Sequence, residues 1–312
     1  MLHTDWRDLP AEARGLVLAL GNFDGVHRGH VHLLHAAHAA RPDAKLGVLT
    51  FEPHPRSLFR PDDPNFRLSP SAQRAALLAA QGVDHVIEVP FNADFADLSA
   101  EQFIDLVLRQ SLGAVHVACG ADFAFGHRRG GNVAMLEARC TQVGIGLSIV
   151  PQLMDESGPI SSSRIRRALQ DGYPERAAAL LGRPWSISGV VAQGDQRGRT
   201  IGFPTANIAL GGYLEPARGV YAVWASLPDG RIVPAVANLG RRPTVANTLE
   251  SRLEVHLFDF AGDLYGQTLE ISLIAFLRAE KKFADFATLH QQIIADAEQA
   301  RHLLAEPQQA AP

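Results

Sequence analysis

The first half of the chain alternates short apolar runs with stretches of helical periodicity. Apolar runs predict strands over residues 16–20, 46–51, 85–89, 114–119 and 145–150. Apolar residues recurring every three or four positions predict helices over about 29–40, 71–81, 99–110 and 132–142. Strands separated by helices of this length predict a parallel sheet covered on both faces. Ligands of such sheets bind beyond the carboxyl ends of the strands.

From Trp185 onward the apolar pattern changes to a period of two. Six strands are predicted, over residues 186–192, 205–208, 219–227, 232–238, 253–258 and 268–276. Without helices between them, they predict a closed or nearly closed antiparallel β-barrel. A helix over about 286–304 follows, with Leu289, Ile293 and Ile294 on its expected packing side. The predicted domains are 1–183 and 184–312, divided where Gly and Pro separate the two patterns.

Composition and charge exclude several classes of partner. The 312 residues carry a net charge of −4, which gives no electrostatic footprint for nucleic acid or an anionic membrane surface. Cys119 and Cys140 lack metal-ligand spacing, and Cys119 is expected to be buried. No signal pattern or membrane-length apolar run is found, so a cytoplasmic protein with small-molecule partners is expected, its oligomeric state left open.

The first candidate site lies between the first predicted strand and the first predicted helix, in the segment Gly21-Asn-Phe-Asp-Gly-Val-His-Arg-Gly-His30. His27 and His30 share a helix face, and Gly25 and Gly29 remove side chains where a nucleotide would approach the backbone. The helix N-terminus adds N–H groups and a positive dipole for phosphate. Two imidazoles there can stabilise a pentavalent phosphorus by hydrogen bonds. A simple glycine turn with a cap is the structural alternative, but the pattern is too specific for it. The predicted binding residues are Gly21, Asn22, Phe23, Asp24 and Gly25, and the predicted catalytic residues are His27 and His30.

The pair of histidines in this spacing resembles the His-x-Gly-His signature of the nucleotidyltransferase superfamily. A second segment, Ile160-Ser-Ser-Ser-Arg-Ile-Arg166, resembles its Ile-Ser-Ser-Thr-x-x-Arg signature with Ser163 in place of Thr. Hydroxyls and amides opening a helix, followed by an arginine, can hold the outgoing pyrophosphate. An ordinary serine cap on a basic helix is the alternative for this segment alone. The predicted pyrophosphate-binding residues are Ser161, Ser162 and Arg166.

Two more segments narrow the resemblance. They are Thr50-Phe-Glu-Pro-His-Pro55 and Gly120-Ala-Asp-Phe-Ala-Phe-Gly126, and each follows a predicted strand. Together with the first motif they resemble the FMN adenylyltransferase module of bacterial bifunctional riboflavin kinase/FAD synthetases. The resemblance implies that Phe123 and Phe125 shape the flavin or adenine pocket and that Asp122 contacts the nucleotide. For each phenylalanine, aromatic packing at a strand end is an equal alternative. Ala124 occupies a position that is often basic in the family.

The second candidate site is Gly202-Phe-Pro-Thr-Ala-Asn207. Thr205 and Asn207 are two positions apart on a strand, so both side chains point to one face. Hydroxyl and amide oxygens are hard ligands, suited to a Mg²⁺ ion that also holds ATP phosphates. The preceding loop, 194–202, is basic and flexible enough to fold over a triphosphate, and Gly198 and Arg199 are its predicted binding residues. For an isolated segment, a hairpin loop and strand would be the better interpretation.

This segment and four others resemble riboflavin kinase, in the family's order. The others lie at 238–244, 253–256, 263–266 and 277–283. The resemblance implies that Glu254 is the general base, taking the proton of the ribityl 5′-hydroxyl as it attacks the γ-phosphorus. Alternatively, Glu254 is a strand residue paired with Arg252 or Arg242. The resemblance also places Leu257, Asp259 and Tyr265 near ATP, and Arg278, Lys281 and Phe283 at the flavin. Arg278 and Lys281 have the alternative of solvated surface charges.

The resemblance covers nearly the whole chain. It implies an α/β protein with an N-terminal Rossmann-like nucleotidyltransferase domain and a C-terminal riboflavin kinase-like barrel, six-stranded and followed by a terminal helix. The implied activities are phosphorylation of riboflavin to FMN and adenylylation of FMN to FAD, with ATP and Mg²⁺. A flavin-nucleotide sensor or carrier is one alternative, but binding alone needs neither a base nor a transition-state clamp. A cytidylyltransferase or pantetheine-phosphate adenylyltransferase fused to an unrelated barrel is another, which the kinase motifs disfavour.

Overall fold

The computed structural model describes residues 1–193, 202–243 and 249–305, and they form two compact units. The first unit comprises Met1–Pro64 and Ser69–Ser161. The second comprises Asn65–Leu68 and Ser162–Pro312. Each of the two predicted halves therefore corresponds to one of the compact units. The predicted boundary near residue 183 stays a prediction.

The first unit is built on a parallel sheet of six strands in the order β1-β4-β3-β2-β5-β6. The strands are Leu2–His3 (β1), Val17–Leu20 (β2), Leu46–Glu52 (β3), His85–Pro90 (β4), His116–Gly120 (β5) and Gly146–Val150 (β6). All five strands predicted from apolar runs are present, and the short edge strand β1 is added. From β2 the chain proceeds to β3 and β4 on one side, and β5 and β6 lie on the other. This reversal of strand order beside β2 and β5 is where ligands of open α/β sheets bind.

Helices and turns connect these strands. They are Ala11–Ala13 (one 3₁₀ turn), Arg28–Ala40 (α1), Pro55–Phe59 (α2), Ser71–Ala79 (α3), Ala93–Ala96 (α4), Ala100–Gln102 (α5), His127–Arg129 (a second 3₁₀ turn) and Val133–Val143 (α6). The helix predicted over 99–110 is α-helical only in its first turn and continues as the π-helix Phe103–Ser111. A small hairpin, Met154–Asp155 (β7) and Gly158–Pro159 (β8), closes the unit.

Both faces of the sheet are covered, as the apolar runs predicted. Val17 and Ala19 of β2 join a core cluster with Leu34 of α1. Leu18 and Leu20, which point to the opposite face, join a second cluster with Ile104 of the π-helix. Successive residues of a strand alternate between its faces, so a strand buried on both reads as a continuous apolar run.

A buried ion network lies at the carboxyl end of this sheet. Arg74 of α3 has no exposed surface, and its guanidinium pairs with the buried carboxylate of Glu88 on β4. The same guanidinium donates to Glu52 Oε2 over 3.0 Å and to the backbone carbonyls of Asn22 and Phe51 over 3.4 Å. Ser71 Oγ donates to the second oxygen of Glu88 over 2.6 Å. A charge removed from water in this way needs several partners, and the network supplies them from the segments that end β2, β3 and β4.

The second unit contains a closed antiparallel barrel in the order β10-β13-β12-β11-β14-β9. The strands are Trp185–Ala192 (β9), Ala206–Ala209 (β10), Gly219–Ser226 (β11), Ile232–Pro243 (β12), Leu249–Leu257 (β13) and Thr268–Ala279 (β14). Two helices that the apolar pattern did not reveal in full, Ser162–Gln170 (α7) and Pro174–Leu181 (α8), precede it. Leu253, Ile208 and Leu239 lie opposite one another and are fully buried. The barrel, predicted from six alternating segments, is confirmed.

The terminal helix Phe286–Ala305 (α9) packs on β11, β12 and β14. The buried residues of α9 are Asp296, Ala297, Ala300 and Leu304. The packing side predicted from Leu289, Ile293 and Ile294 is wrong in part, because Ile294 is 38% exposed. Small alanines let the helix axis approach the barrel closely, a role that hydrophobicity alone does not reveal. Within the described ranges, no helix has both the length and the apolar character that a membrane span requires.

Replacement of Glu88 by glutamine should destabilise the first unit. The substitution leaves the buried guanidinium of Arg74 without its most buried counter-charge, which typically costs about 3–5 kcal/mol of unfolding free energy. Asp105→Asn is the matched control, because Asp105 pairs with Arg139 at the surface, where ion pairs contribute little. Denaturant unfolding of both variants measures the difference. Equal losses in the two variants would contradict the importance of the Arg74 network.

Removal of α7 and α8 should weaken the barrel. Ala177, Leu180 and Leu181 of α8 are buried, and α8 packs on β9 and β14. A fragment starting at residue 184 should fold, since it retains the barrel core, but a fragment starting at residue 162 should melt at least about 5 °C higher. Thermal unfolding followed by circular dichroism tests this. Equal melting temperatures would show that the two helices do not stabilise the barrel.

Candidate functional sites

The two histidines of the first motif form a reciprocal cap at the start of α1. His27 Nδ1 accepts from the backbone N–H of His30, and His30 Nδ1 accepts from that of His27, each over 3.3 Å. The two imidazole rings stack with centroids 3.6 Å apart. A ring nitrogen that accepts carries no proton, so the proton of each neutral imidazole resides on Nε2. The cap therefore fixes two Nε2–H donors side by side at a helix N-terminus.

The backbone that leads into this cap is strained. Phe23 and Val26 have φ angles of 50° and 43°, and Gly25 has a φ of 86°. Left-handed backbone is unfavourable for ordinary residues and most of all for a β-branched one such as Val26. Residues held in this way persist only where their surroundings determine them, and they cluster at functional sites.

Buried side chains hold this strained turn in place. The carboxylate of Asp24 is buried and accepts from the backbone N–H of Ser69 over 3.0 Å. Ser69 Oγ in turn accepts from the N–H of Gly25 over 2.8 Å. The carbonyl of Asn22 accepts from Thr50 Oγ1 over 3.0 Å and from Arg74. Asp24, predicted to bind the nucleotide, thus also anchors its own loop.

Gly29 and Gly21 of the motif each leave space for a different neighbouring group. A Cβ on Gly29 would lie 3.1 Å from the His27 ring and 3.3 Å from the Ile160 carbonyl. Gly29 therefore makes room for the capping imidazole and for the segment that leads into the second signature. A Cβ on Gly21 would lie 3.2 Å from the buried ring of Phe23. The predicted binding residue Phe23 is itself a core side chain, with its ring centroid 4.9 Å from that of His30.

The second signature spans the position in the sequence where the first unit ends and α7 begins. Ser161 ends the first unit, and Ser162 begins α7 in the second. Arg166 Nε donates to the carbonyl of Phe66 over 2.7 Å, and its guanidinium lies 5.3 Å from the centre of the Phe66 ring. The pyrophosphate-binding role of these residues stays a prediction.

The segment after β5 carries the predicted flavin or adenine contacts. Phe125 is buried and its ring centroid lies 5.4 Å from that of Phe103, while Phe123 stacks on Phe125 at 5.5 Å. Packing at a strand end therefore accounts for Phe125, and the partly exposed Phe123 is the better placed of the two to meet a ligand. Asp122 is exposed and accepts from Gln152 Nε2 over 3.0 Å.

In the barrel, strand pairing places predicted site residues side by side. Directly opposite residues on successive strands form what we call the Glu254 row: Asn207 (β10), Glu254 (β13), Asn238 (β12), Val220 (β11) and Arg278 (β14). Leu253, the next residue along β13, faces the barrel interior, so the row lies on the outer face. Opposite residues have their Cβ atoms about 4.5–5.5 Å apart. The structure thus brings together Asn207 and Glu254, which the sequence named separately.

Thr205 and Asn207 present the oxygen atoms expected of a magnesium site. Thr205 immediately precedes β10, and Asn207 is buried. Asn207 Nδ2 donates to the Thr205 carbonyl over 3.3 Å, which leaves the amide oxygen as the group available to a cation. Two neutral oxygen ligands fit Mg²⁺, which keeps waters and takes phosphate oxygens for its remaining positions.

The predicted flavin residues at the end of β14 form a cluster. Arg278 donates to both carboxylate oxygens of the buried Asp296 on α9, with a shortest distance of 2.7 Å. The alternative that Arg278 is a solvated strand-end charge is therefore wrong. The Arg278 guanidinium and Lys281 Nζ lie 5.6 and 5.3 Å from the centre of the Phe283 ring. Cations at this distance are attracted to an aromatic face.

The residues predicted near ATP are more dispersed. Leu257 is buried and lies on the opposite face of β13 from Glu254. Asp259 accepts from Arg301 of α9 over 2.6 Å, and this hydrogen bond holds the pKa of its carboxyl below the ordinary value. Tyr265 is 39% exposed in the turn before β14. Gly198 and Arg199 lie outside the described residues.

Several residues that contact these candidate sites have no local sequence pattern that reveals them. Arg74, Ser69 and Asp296 reach them through contacts distant in sequence, and a lone polar residue in a helical pattern gives no local signal of burial. Cys119 is buried as expected, and burial raises the pKa of the Cys119 and Cys140 thiols to about 12 and about 11. His32, His35 and His38 lie on the exposed face of α1.

Comparisons with known proteins match both halves. A family model described as FAD synthetase matches residues 9–164, and one described as riboflavin kinase matches residues 181–304. A crystal structure described as a macrolide-efflux protein from Streptococcus pneumoniae is similar over 96% of this chain and 98% of its own, with 34% identity and a TM-score of 0.86.

Curated relatives extend the match over most of the chain. Bifunctional riboflavin kinase/FMN adenylyltransferases from Escherichia coli K12 and Pseudomonas fluorescens are 41% and 40% identical. These matches cover 93% and 96% of this chain and equal shares of the relatives. The enzyme of the same name from Bacillus subtilis is 38% identical over 91% of each chain. The chain therefore belongs to the family of bifunctional riboflavin kinase/FMN adenylyltransferases.

Proposed function

We propose that this chain converts riboflavin to FAD in two ATP-dependent steps. The barrel phosphorylates riboflavin to FMN, and the parallel-sheet unit transfers an adenylyl group from ATP to FMN. The observation that carries the proposal is the presence of two separate arrangements of candidate catalytic residues in one chain. These are the paired imidazoles that cap α1 and the adjacent Asn207 and Glu254 on the barrel.

In the adenylyl transfer, an FMN phosphate oxygen attacks the α-phosphorus of ATP and the bond to pyrophosphate breaks. The attacking phosphate is already an anion, so no general base is needed. Charge builds up on the equatorial oxygens and the leaving group, and the Nε2–H groups of His27 and His30 donate to them. Backbone N–H groups at the start of α1 and the residues Ser161, Ser162 and Arg166 hold the remaining phosphates. The proposed nucleotide contacts further include Gly21, Asn22, Asp122 and Phe123.

In the phosphoryl transfer, the ribityl 5′-hydroxyl attacks the γ-phosphorus and ADP leaves. An alcohol is a weak nucleophile, and Glu254 accepts its proton as the new P–O bond forms. The Thr205 hydroxyl and the Asn207 amide oxygen would hold Mg²⁺, which neutralises phosphate charge when bound. Arg278, Lys281 and Phe283 hold the flavin ring, and Asp259 and Tyr265 face the nucleotide.

We place the two activities in domains 1–183 and 184–312. Residues 165–180 fall between the two family matches, and they belong to the compact unit that contains the barrel. We also propose a cytoplasmic location, since both steps consume ATP. Purified protein incubated with riboflavin, ATP and Mg²⁺ should yield FMN and then FAD on chromatography. Retention of bound riboflavin without turnover would instead favour a flavin carrier.

Substitution of His30 by alanine should separate the two activities. Loss of one transition-state hydrogen-bond donor should slow FAD formation from supplied FMN by about a hundredfold or more. Riboflavin phosphorylation should persist, because it takes place on the barrel. His35→Ala, on the exposed face of the same helix, is the matched control and should retain both rates. A folded His30→Ala protein without either activity would contradict the assignment of one reaction to each unit.

Substitution of Glu254 by glutamine should abolish most kinase activity. Glutamine keeps the size of the side chain and removes its basicity, so kcat for FMN formation should fall by roughly a hundredfold to ten-thousandfold. The KM values for riboflavin and ATP should change little, because the lost interaction belongs to the transition state. Glu270→Gln, at an exposed position of β14, is the matched control.

The structural alternative for Glu254 gives a different result. If Glu254 only pairs with a neighbouring arginine, the glutamine variant should melt at a lower temperature and phosphorylate riboflavin at a near wild-type rate. Single-turnover rates and melting temperatures measured on the same preparations distinguish the two outcomes. FAD formation from supplied FMN should be normal in either case.

A further inference from the structure

His256 lies on the outer face of the barrel, two residues after Glu254 along β13. Its ring atom Nδ1 is 2.8 Å from the backbone carbonyl oxygen of Pro204, the residue before the proposed magnesium ligand Thr205. A carbonyl oxygen can only accept a hydrogen bond, so Nδ1 of His256 carries a proton and is the donor. The imidazole is therefore joined to the backbone of the segment that presents Thr205 and Asn207.

The same imidazole also contacts the residue before Pro204. Its ring centroid lies 4.9 Å from that of Phe203 and 5.9 Å from that of Phe258. Phe203 packs against a buried cluster between the barrel and α9, to which Phe258 belongs. His256 thus contacts two successive residues, Phe203 through its ring and Pro204 through its Nδ1–H group.

This contact lies just outside the part of the chain that strand pairing fixes. Pairing of β10 with β13 begins at Ala206, which is opposite Val255. Proline has no backbone N–H, so Pro204 cannot donate a ladder hydrogen bond that would extend the strand. The hydrogen bond from His256 therefore supplies at Pro204 what the ladder supplies from Ala206 onward.

The peptide planes on the two sides of Thr205 are each held by a side chain. The carbonyl of Pro204 and the N–H of Thr205 belong to one rigid plane, so the hydrogen bond from His256 orients both. On the other side, the carbonyl of Thr205 accepts from Asn207 Nδ2 over 3.3 Å. With both planes held, the direction of the Thr205 side chain is set, and its hydroxyl retains only rotation about χ1.

We propose that His256 is a positioning residue for the kinase reaction, whose Nδ1–H group holds the Thr205 backbone so that the Thr205 hydroxyl oxygen faces the magnesium site. A ligand that is already in place loses less conformational entropy when the cation and its phosphates bind. His256 acts through Thr205 and takes no part in coordination or proton transfer. This inference rests on the proposed function of Thr205 and Asn207 as magnesium ligands.

Two other roles are open to the imidazole: packing of its ring on Phe203 alone, or donation from Nε2 to a phosphate of the nucleotide. Two variants distinguish the three roles. His256→Asn places an amide nitrogen close to the position of Nδ1 and removes the ring, whereas His256→Phe keeps a ring and removes both nitrogens. Donation from Nδ1 predicts that only the phenylalanine variant is impaired. Packing predicts that only the asparagine variant is impaired, and donation from Nε2 predicts that both are.

Hydrogen exchange in the metal-free protein tests the contact without catalysis. The amides of residues 204–208 are followed by mass spectrometry, with those of β11 as an internal reference for the stability of the barrel. Loss of one hydrogen bond should accelerate exchange of residues 204–208 by about threefold to tenfold in His256→Phe. The asparagine variant should exchange like the wild type, and β11 should be unchanged in both.

The magnesium dependence of FMN formation tests the consequence for the proposed site. At saturating riboflavin, the Mg²⁺ concentration for half-maximal rate should rise by about threefold to tenfold in His256→Phe. At saturating Mg²⁺, kcat should fall by less than about threefold, because the bound cation itself then holds Thr205. His256→Asn should retain the wild-type magnesium dependence, and FAD formation from supplied FMN should be normal in both variants.

His290→Phe is the matched control. His290 lies on α9, and its ring centroid is 6.1 Å from that of Phe203, so it belongs to the same aromatic contacts as His256. The phenylalanine variant keeps a ring at this position. Its hydrogen exchange and its magnesium dependence should both equal those of the wild type.

The outcomes separate the inference from the proposed function. Wild-type exchange or wild-type magnesium dependence in His256→Phe would overturn the role of Nδ1, as would an asparagine variant that is at least as impaired. Faster exchange in β11 as well as in residues 204–208 would also overturn it, because the effect would then be a general loss of barrel stability. A Thr205→Ala variant with wild-type magnesium dependence, or a wild-type protein that makes no FMN, would instead overturn the proposed kinase site and the inference with it.

Discussion

Hydrogen bonding between neighbouring strands places the candidate catalytic residues in both halves. In the parallel sheet, β2 pairs with both β3 and β5, so the segments that follow these strands emerge at the point where the strand order reverses. In the barrel, β13 pairs with β10 and β12, and this pairing sets Glu254 opposite Asn207 and Asn238. A slip of one residue in either pairing would turn these side chains to the other face. The proposed chemistry thus depends on register, which buried apolar residues on the alternate positions enforce.

The two reactions pose different chemical problems, and the residues proposed for them differ accordingly. A phosphate oxygen of FMN is a ready nucleophile, and its site needs donors for the developing charge. We propose that His27 and His30 supply them through their Nε2–H groups. A ribityl hydroxyl must lose a proton as it reacts, and its site needs a carboxylate with an unprotonated oxygen facing the substrate. A general base is therefore proposed for the barrel, where the nucleophile is a hydroxyl, and none is proposed for the parallel-sheet unit, where the nucleophile is a phosphate.

The sequence predicted what local periodicity encodes and missed what distant contacts create. Apolar runs predict the five longer strands of the parallel sheet, because those strands are buried on both faces. Alternation of apolar and polar residues predicts the barrel strands, because one face of each points to the barrel interior. The two-residue strand β1 has no pattern long enough to read, and it forms only because it pairs with β4. Arg74 looks like an ordinary charged residue of a helix, and only the fold shows that it is enclosed by carboxylates and carbonyls. The stacked His27 and His30 were predicted to share a face, but their reciprocal Nδ1 caps depend on the strained turn before them.

The closure of the barrel constrains how its substrates can bind. In an open sheet, an extended ligand can pair with the free N–H and C=O groups of an edge strand, but a closed barrel has no such edge. Backbone recognition along the strands is therefore unavailable, and a ligand must bind through side chains on the outer face or through the loops. A flat aromatic substrate recognised in this way is held by few directional contacts, so its orientation depends on the rigidity of those side chains. The Arg278–Asp296 ion pair supplies such rigidity, because it ties β14, which leads into the segment of the proposed flavin residues, to the terminal helix.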